Sequence, residues 1–402
     1  MKVSRAPGLA GDSAIGGMRQ LNIVYCSKSP PSPNGIARYA ADFRQVLGSI
    51  GSVYQVAPRE RRGQSDGLRQ VLNLSLRLPW TIARRQPNWL VVEMSGRSLA
   101  EFWSTLLVMA IWRFRRTRVW VNVHDAPDLA GGVFWFAFAD RRGVRSLAHW
   151  LTKRFGRRVE RNLLRRAHVV TALSAAGAAA LSDRYQLRVD VIRHVLRPRL
   201  AARQKSLRLF VPGYVRPVPS LVAGITTFAG HPDWDIVVGA MSETDNEWLK
   251  SELANTVDLG KITFAGFQSD SELDENYATA SAVLRIVGQP TEAGRWAVSG
   301  PALYAMGFGG VLVTDDQRGV RECLDSGINS IVLPHELKRA DIDLLNRLAS
   351  DAVFRQRLSN EAQAHVQRDH DLRPVADSVL RLLLRSSEHT RTAWDKSKLG
   401  GS

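Results

Sequence analysis

Short apolar runs alternate with stretches of helical spacing along almost the whole chain. The run at residues 20–26 (QLNIVYC) leads into a turn-rich SKSPPSPNG. Ile36, Tyr39, Ala40, Phe43 and Leu47 then recur at helical intervals. Strand, Gly/Pro loop and amphipathic helix form the opening of a doubly wound α/β unit. Further strands are predicted at residues 53–56, 89–93 (WLVVE), 118–123 (RVWVNV), 169–173 and 189–192, with helical stretches between them. Such alternation predicts a mainly parallel sheet. The pattern turns charged and irregular over 193–207 (RHVLRPRLAARQKSL), then resumes with strands at 208–212, 234–238, 262–265, 282–286, 310–314 and 330–333. Helices over 341–384 close the sequence.

A length of 402 residues exceeds what one ordinary core holds, and the two alternations divide it. The expected organisation is an N-terminal extension (1–18), a first Rossmann-like domain (19–195) and a second (207–371). A helix crossing back (372–388) and a flexible tail (389–402) complete it. Ligands of open parallel sheets bind at the carboxyl ends of the strands, so two such halves place a cleft between those ends.

Composition sharpens this picture. Hydrophobic residues make up 45% without a low-complexity tract, as in a folded globular protein. Cys26 and Cys323 stand far apart, which argues against a disulfide framework and for a reducing cytoplasm. The first residues lack the apolar core of a secretory signal. The stretch at 99–114 (LAEFWSTLLVMAIWRF) is interrupted by Glu101 and is shorter than the ~20 residues of a spanning helix.

The net charge of +17 is uneven: residues 1–200 carry 33 Lys and Arg against 12 Asp and Glu, and 201–402 carry 22 against 26. The first half is therefore +21 and the second −4, which points to an anionic partner facing the first half. Nucleic acid would rest on charge alone and ranks last. An anionic membrane surface draws further support from residues 144–166. There Val144, Leu147, Leu151, Phe155, Val159 and Leu163 form one stripe, and Arg154, Arg157, Arg158 and Arg161 are among the cations covering the rest. The preceding loop at 131–142 (GGVFWFAFADRR), with Phe134 and Trp135, has the aromatic content of an interfacial segment. Peripheral attachment to the inner face of the membrane is the expectation.

Several segments resemble retaining GT-B glycosyltransferases of the large nucleotide-sugar group. These are ITFAGFQSDSELDENYATASAVLR (262–285), SGPALYAMGFGGVLV (299–313) and GVRECLDSGINSIVLP (319–334) in the second half. PPSPNGIARYA (30–40) and NVHDAP (122–127) are their counterparts in the first. They fall in the expected order between residues 21 and 384. The resemblance implies a GT-B fold, α/β with two Rossmann-like doubly wound domains facing across a cleft. It also implies transfer of a sugar from a nucleoside diphosphate donor, with anomeric retention. The basic helix and aromatic loop of the first half add the expectation of a lipid-linked acceptor, with a polysaccharide as the other acceptor class. No cofactor is implied.

Individual residues carry the chemistry. Asn34 and Gly35 form a tight turn whose backbone can approach a phosphate or sugar; by resemblance this loop faces the donor diphosphate. His124 ends an apolar strand where the cleft belongs, and its imidazole can bond a sugar hydroxyl or a loop carbonyl. Ser299-Gly300-Pro301 opens a helix, Ser as cap and Pro in the first turn; the free amides can also hold a diphosphate. By resemblance Glu322 accepts from the nucleotide ribose. The chain departs from the family twice. Tyr214 and Pro219 stand where two phosphate-binding cations are usual, leaving Arg216, with Arg285 or Arg295, to substitute. Trp296 and Tyr304 stand where paired glutamates are usual, leaving Glu292 to reach the sugar. Two alternatives follow: a catalytically degraded GT-B protein that binds a glycan or partner, and a nucleotide-sugar epimerase. No CxxC, HExxH or paired-Asp pattern suggests a metal site, and the histidines lack ligand spacing.

Overall fold

The computed structural model describes residues 21–28, 35–58, 67–95, 98–111, 117–124, 150–196, 205–213, 218–240, 243–288, 298–316, 318–334 and 336–399. They form two parallel six-stranded sheets flanked by helices. The first holds β1 (Leu21–Cys26), β2 (Gly51–Val56), β3 (Trp89–Met94), β4 (Arg118–Val123), β5 (Val169–Ala172) and β6 (Asp190–Val191), in the order β2-β1-β3-β4-β5-β6. Its helices are α1 (Gly35–Ile50), α2 (Gly67–Arg85), α3 (Leu99–Ile111), α4 (Arg157–Arg166) and α5 (Ala175–Tyr185).

The second sheet holds β7 (Ser206–Gly213), β8 (Asp235–Ala240), β9 (Ile262–Phe264), β10 (Ala280–Arg285), β11 (Val311–Asp315) and β12 (Ser330–Leu333), in the order β12-β11-β10-β7-β8-β9. Around it lie α6 (Pro219–Ala229), α7 (Glu243–Leu253), α8 (Asp270–Thr279), α9 (Gly300–Gly307), α10 (Arg339–Ser350) and α11 (Ala352–Asp369). The closing helix α12 (Leu372–Leu399) continues through the DKSKL that the sequence suggested as a loose tail.

The period-2 pattern explains the layering. In β1, Val24 and Cys26 point into one core with Leu74 and Leu78 of α2 and Phe102 of α3. Ile23 and Tyr25 point into the other with Tyr39, Phe43 and Leu47 of α1. Strands buried on both faces read as continuous apolar runs, as parallel sheets require. Val375, Val379, Leu382 and Leu383 of α12 join that second core, so the chain returns from the second sheet to close the first. The second sheet is likewise covered on both faces: Leu209, Ile236 and Leu284 lie in one core, Phe210 and Val283 in the other.

Connectivity fixes where ligands can enter. The strand order reverses between β1 and β3 in the first sheet and between β7 and β10 in the second. Open parallel sheets bind ligands at the carboxyl ends of such reversal points. Gly213 ends β7 and Arg285 ends β10, which puts both at the reversal point of the second sheet.

Candidate functional site between the two domains

His124 follows β4 directly and is nearly buried. Its Nε2 lies 2.7 Å from Oε2 of Glu93, a carboxylate on β3 that is fully enclosed. An ionised carboxylate only accepts, so Nε2 donates and the ring orientation is fixed. The Tyr25 hydroxyl donates to Glu93 Oε1 at 3.0 Å, and Asn122 Nδ2 donates to Oε2 at 2.9 Å. Trp120 Nε1 donates to Thr171 Oγ1, which donates in turn to Asn122 Oδ1, each at 2.8 Å. Tyr25, Glu93 and Asn122 thus share one sheet face across three adjacent strands, and the buried carboxylate is held by three donors. Burial and the neighbouring Glu93 carboxylate push the Tyr25 hydroxyl well above its usual pKa, so it stays a donor.

The Tyr39 ring packs edge-on to both His124 and His194, at 4.7 Å between centroids in each case. His194 leads into the second domain, and its Nε2 lies 3.7 Å from where a side chain on Gly300 would begin. Burial, aided by the nearby His124 and His370, lowers the His194 pKa to about 3, so the ring is neutral at working pH. The predicted histidine and the predicted helix start therefore meet through a residue, His194, that the sequence did not single out. Ser299 caps α9 as expected, accepting from the Ala302 amide at 3.4 Å.

Arg285 sits on the second-domain side. Its Nη1 is 3.8 Å from the position a Cβ on Gly213 would take, and Gly213 has φ +80°. Gly35 opens α1. One turn later Arg38 pairs with Asp274 of α8 and covers the Tyr304 ring at 4.0 Å. The Tyr304 hydroxyl donates to Asp42 Oδ2 at 3.0 Å. Tyr304 is buried and stacks against Phe308. The position where the family resemblance leads one to expect a carboxylate is thus an interdomain strut.

Glu322 makes a second contact between the domains. Its oxygens accept the Ala175 amide at 2.9 and 3.2 Å. The carboxylate therefore sits on the N-terminus of α5 in the first domain, where the helix dipole favours an anion. Arg154, Arg157, Arg158 and Arg161 are all exposed, the first on a π-helical turn (Thr152–Gly156) and the others on α4. Arg216, Glu292, Phe134 and Trp135 lie outside the described residues.

Residues 226–381 match the family model described as Glycosyl transferase-like. Sucrose-phosphate synthase from Thermosynechococcus elongatus superposes with a TM-score of 0.65 at 12% identity, over 91% of this chain and 99% of its own. The chain has the GT-B fold, and residues 226–381 are similar to the glycosyl transferase-like family. A glycosyltransferase from Rickettsia africae has a TM-score of 0.64 at 12% identity, covering 92% of this GT-B chain and 99% of its own. Anabaena HepE, in a structure with UDP and glucose, gives 0.61 at 15% identity over 91% and 100%. No curated protein sequence matches significantly.

The sequence missed Glu93, His194 and the Arg38–Tyr304–Asp42 contact. The available signal for Glu93 was a carboxylate in phase with Tyr25 and Asn122 on the inward face of apolar strands.

Proposed function

We propose that the chain transfers a sugar from a nucleoside diphosphate donor to a lipid-linked acceptor, working on an anionic membrane surface. One observation carries the donor assignment. Arg285, at the reversal point of the second sheet beside Gly213, offers a guanidinium fork where a diphosphate would lie. The diphosphate leaving group would be held electrostatically by Arg285 and the amides at Ser299-Gly300. His124, oriented by Glu93, would bond the sugar in transit. HepE, the Anabaena protein, was seen with UDP and glucose, which suits this donor class.

The acceptor assignment rests on a surface. Leu72, Leu76 and Trp80 of α2 are 57, 76 and 60% exposed, one turn apart along the helix. Leu107 and Ile111 of α3 are also exposed, as are Trp150 and Phe155 before α4. α2, α3 and α4 share one side of the first sheet, so these apolar groups and the exposed α4 arginines all point outward together. Arg84 lies over the Trp80 ring at 5.2 Å. An apolar stripe flanked by cations suits the interface of an anionic bilayer. No described helix is long and apolar enough to cross a membrane.

Two experiments test this reading. Purified protein given UDP-, GDP- and ADP-sugars with a lipid extract in anionic vesicles should release the nucleoside diphosphate from one donor class. Release from none of them would count against transfer. The protein should pellet with anionic vesicles at 0.1 M salt and release at 1 M, where the Debye length falls from ~10 to ~3 Å. Arg154, Arg157, Arg158 and Arg161 changed together to Glu should abolish pelleting. Indifference to anionic vesicles at low salt would make a soluble polysaccharide acceptor preferable. The Tyr304 strut and the engagement of Glu322 with α5 favour a second reading, a GT-B protein that binds a glycan or partner without turnover.

A further inference from the structure

Away from the donor residues, three metal-binding side chains converge at the joint between the domains. Cys323 lies in a short 3-10 turn after β11, and His365 in the last turns of α11. His370 ends that helix just before α12 returns to the first domain. One donor atom from each of the three lies within 4.8 Å of the other two. The Cys323 Sγ to His370 Nε2 distance is already 3.5 Å. Zn–N and Zn–S bonds of about 2.0–2.3 Å in a tetrahedron separate ligand atoms by about 3.5 Å.

Hydrogen bonding frees one nitrogen of His370. His370 Nδ1 lies 2.7 Å from the His194 carbonyl oxygen. A carbonyl only accepts, so Nδ1 carries the proton and the Nε2 lone pair faces Cys323. A backbone carbonyl holding the remote nitrogen is the usual support of a metal-bound imidazole. His365 Nε2 is buried without a hydrogen-bond partner among the described residues. Its Nδ1 lies 3.0 Å from Arg368 Nη2 and 3.7 Å from Asp369 Oδ2. As the ring stands, Arg368 donates to Nδ1 and Nε2 carries the proton. Binding a metal through Nε2 moves that proton to Nδ1, toward Asp369. It also requires the Arg368 guanidinium to turn away from the ring to Asp369, which it already reaches at 3.3 Å. Two guanidiniums, Arg193 and Arg368, stand nearby, but both pair with Asp369, and Glu322 and Asp325 add negative charge.

We propose that Cys323, His365 and His370 form a binding site for a d10 cation that accepts thiolate and imidazole, Zn(II). A thiolate with two imidazoles is a donor set of borderline softness, suited to zinc rather than to magnesium or calcium. Three protein ligands leave the fourth position to water. A simple Cys–His hydrogen bond in a packed core would explain two of the residues but leaves the buried Nε2 of His365 without a role. Burial pushes the Cys323 thiol up to about 12, and a bound metal displaces that proton. The site would tie together both chain crossings: the His194 segment leading out of the first domain and the His370 segment leading back. It would also anchor Glu322, next to Cys323, on α5.

The test uses full-length protein stripped with a chelator and titrated with zinc chloride alone. Wild-type protein should retain one zinc per chain by elemental analysis, and its melting temperature should rise by about 5 °C at saturating metal. Cobalt(II) in place of zinc should give a thiolate-to-metal charge-transfer band. Cys323→Ala and His365→Gln should each lose the band and the thermal shift, whereas His231→Gln, outside the cluster, should keep both. His365 is the least buried of the three ligands, so His365→Gln serves if Cys323→Ala fails to fold. Wild-type protein that retains no zinc, or either ligand variant binding zinc like wild type, overturns the site. Neither result depends on donor binding or sugar transfer, so failure here is separable from failure of the proposed function.

Discussion

Replacing Arg285 with alanine is expected to weaken binding of the nucleoside diphosphate by about 10- to 100-fold. The figure follows from losing charge-assisted hydrogen bonds worth about 1.5–3 kcal/mol, at about 1.4 kcal/mol per tenfold. β10 ends on Arg285 where the strand order reverses, and the neighbouring β7 ends on Gly213, which has no side chain to fill the space. Arg285→Lys keeps the charge but not the planar fork and should fall between the two. Calorimetric titration reads the effect, with a thermal melt showing that the variant is folded. If Arg285→Ala binds like wild type, the diphosphate does not lie at the β7–β10 crevice.

A second large effect is expected at Glu93. Glu93→Ala should lower folding stability by about 3–5 kcal/mol, the range for breaking a buried charged partnership. The change strands His124, the Tyr25 hydroxyl and one Asn122 donor together. Glu93→Gln should cost far less. Its carbonyl can accept from Asn122 and His124, and its amide can face the Tyr25 hydroxyl oxygen. Urea denaturation of the three proteins decides the matter. Equal losses in Ala and Gln would mean that the negative charge itself is indispensable, and no loss in Ala would remove the network from the account.

Much of the architecture was legible because it rests on local periodicity. Ile23 and Tyr25 against Val24 and Cys26 show two buried faces, and Ile36, Tyr39 and Phe43 show a helix stripe. The Ser299 helix start is legible for the same reason, since backbone geometry restricts the residue type. The site was only half legible. His124 and Ser299 stood out, but the side chains that orient and join them did not. Glu93 looks like a strand-end carboxylate until Tyr25 and Asn122 are seen beside it. Tyr304 and Asp42 are 262 positions apart. Only the packing of α1 on the second domain makes them partners. The same holds for Cys323 and His370, 47 positions apart. Histidines five apart on one helix end carry no spacing signal, and only the fold brings a thiol to them. Glu322 stood out by its motif, yet nothing local showed that its carboxylate reaches the α5 amide in the other domain. At the C-terminus, low hydrophobicity read as a loose tail, while α12 carries its helix through to Leu399.

The most direct test of the central claim is calorimetric titration of the wild-type protein with UDP, GDP and ADP. One of the three should bind at a single site per chain and raise the melting temperature, with the affinity falling in Arg285→Ala. A wild-type protein that binds none of them, while its melt shows it folded, would contradict a nucleoside diphosphate site in the second domain.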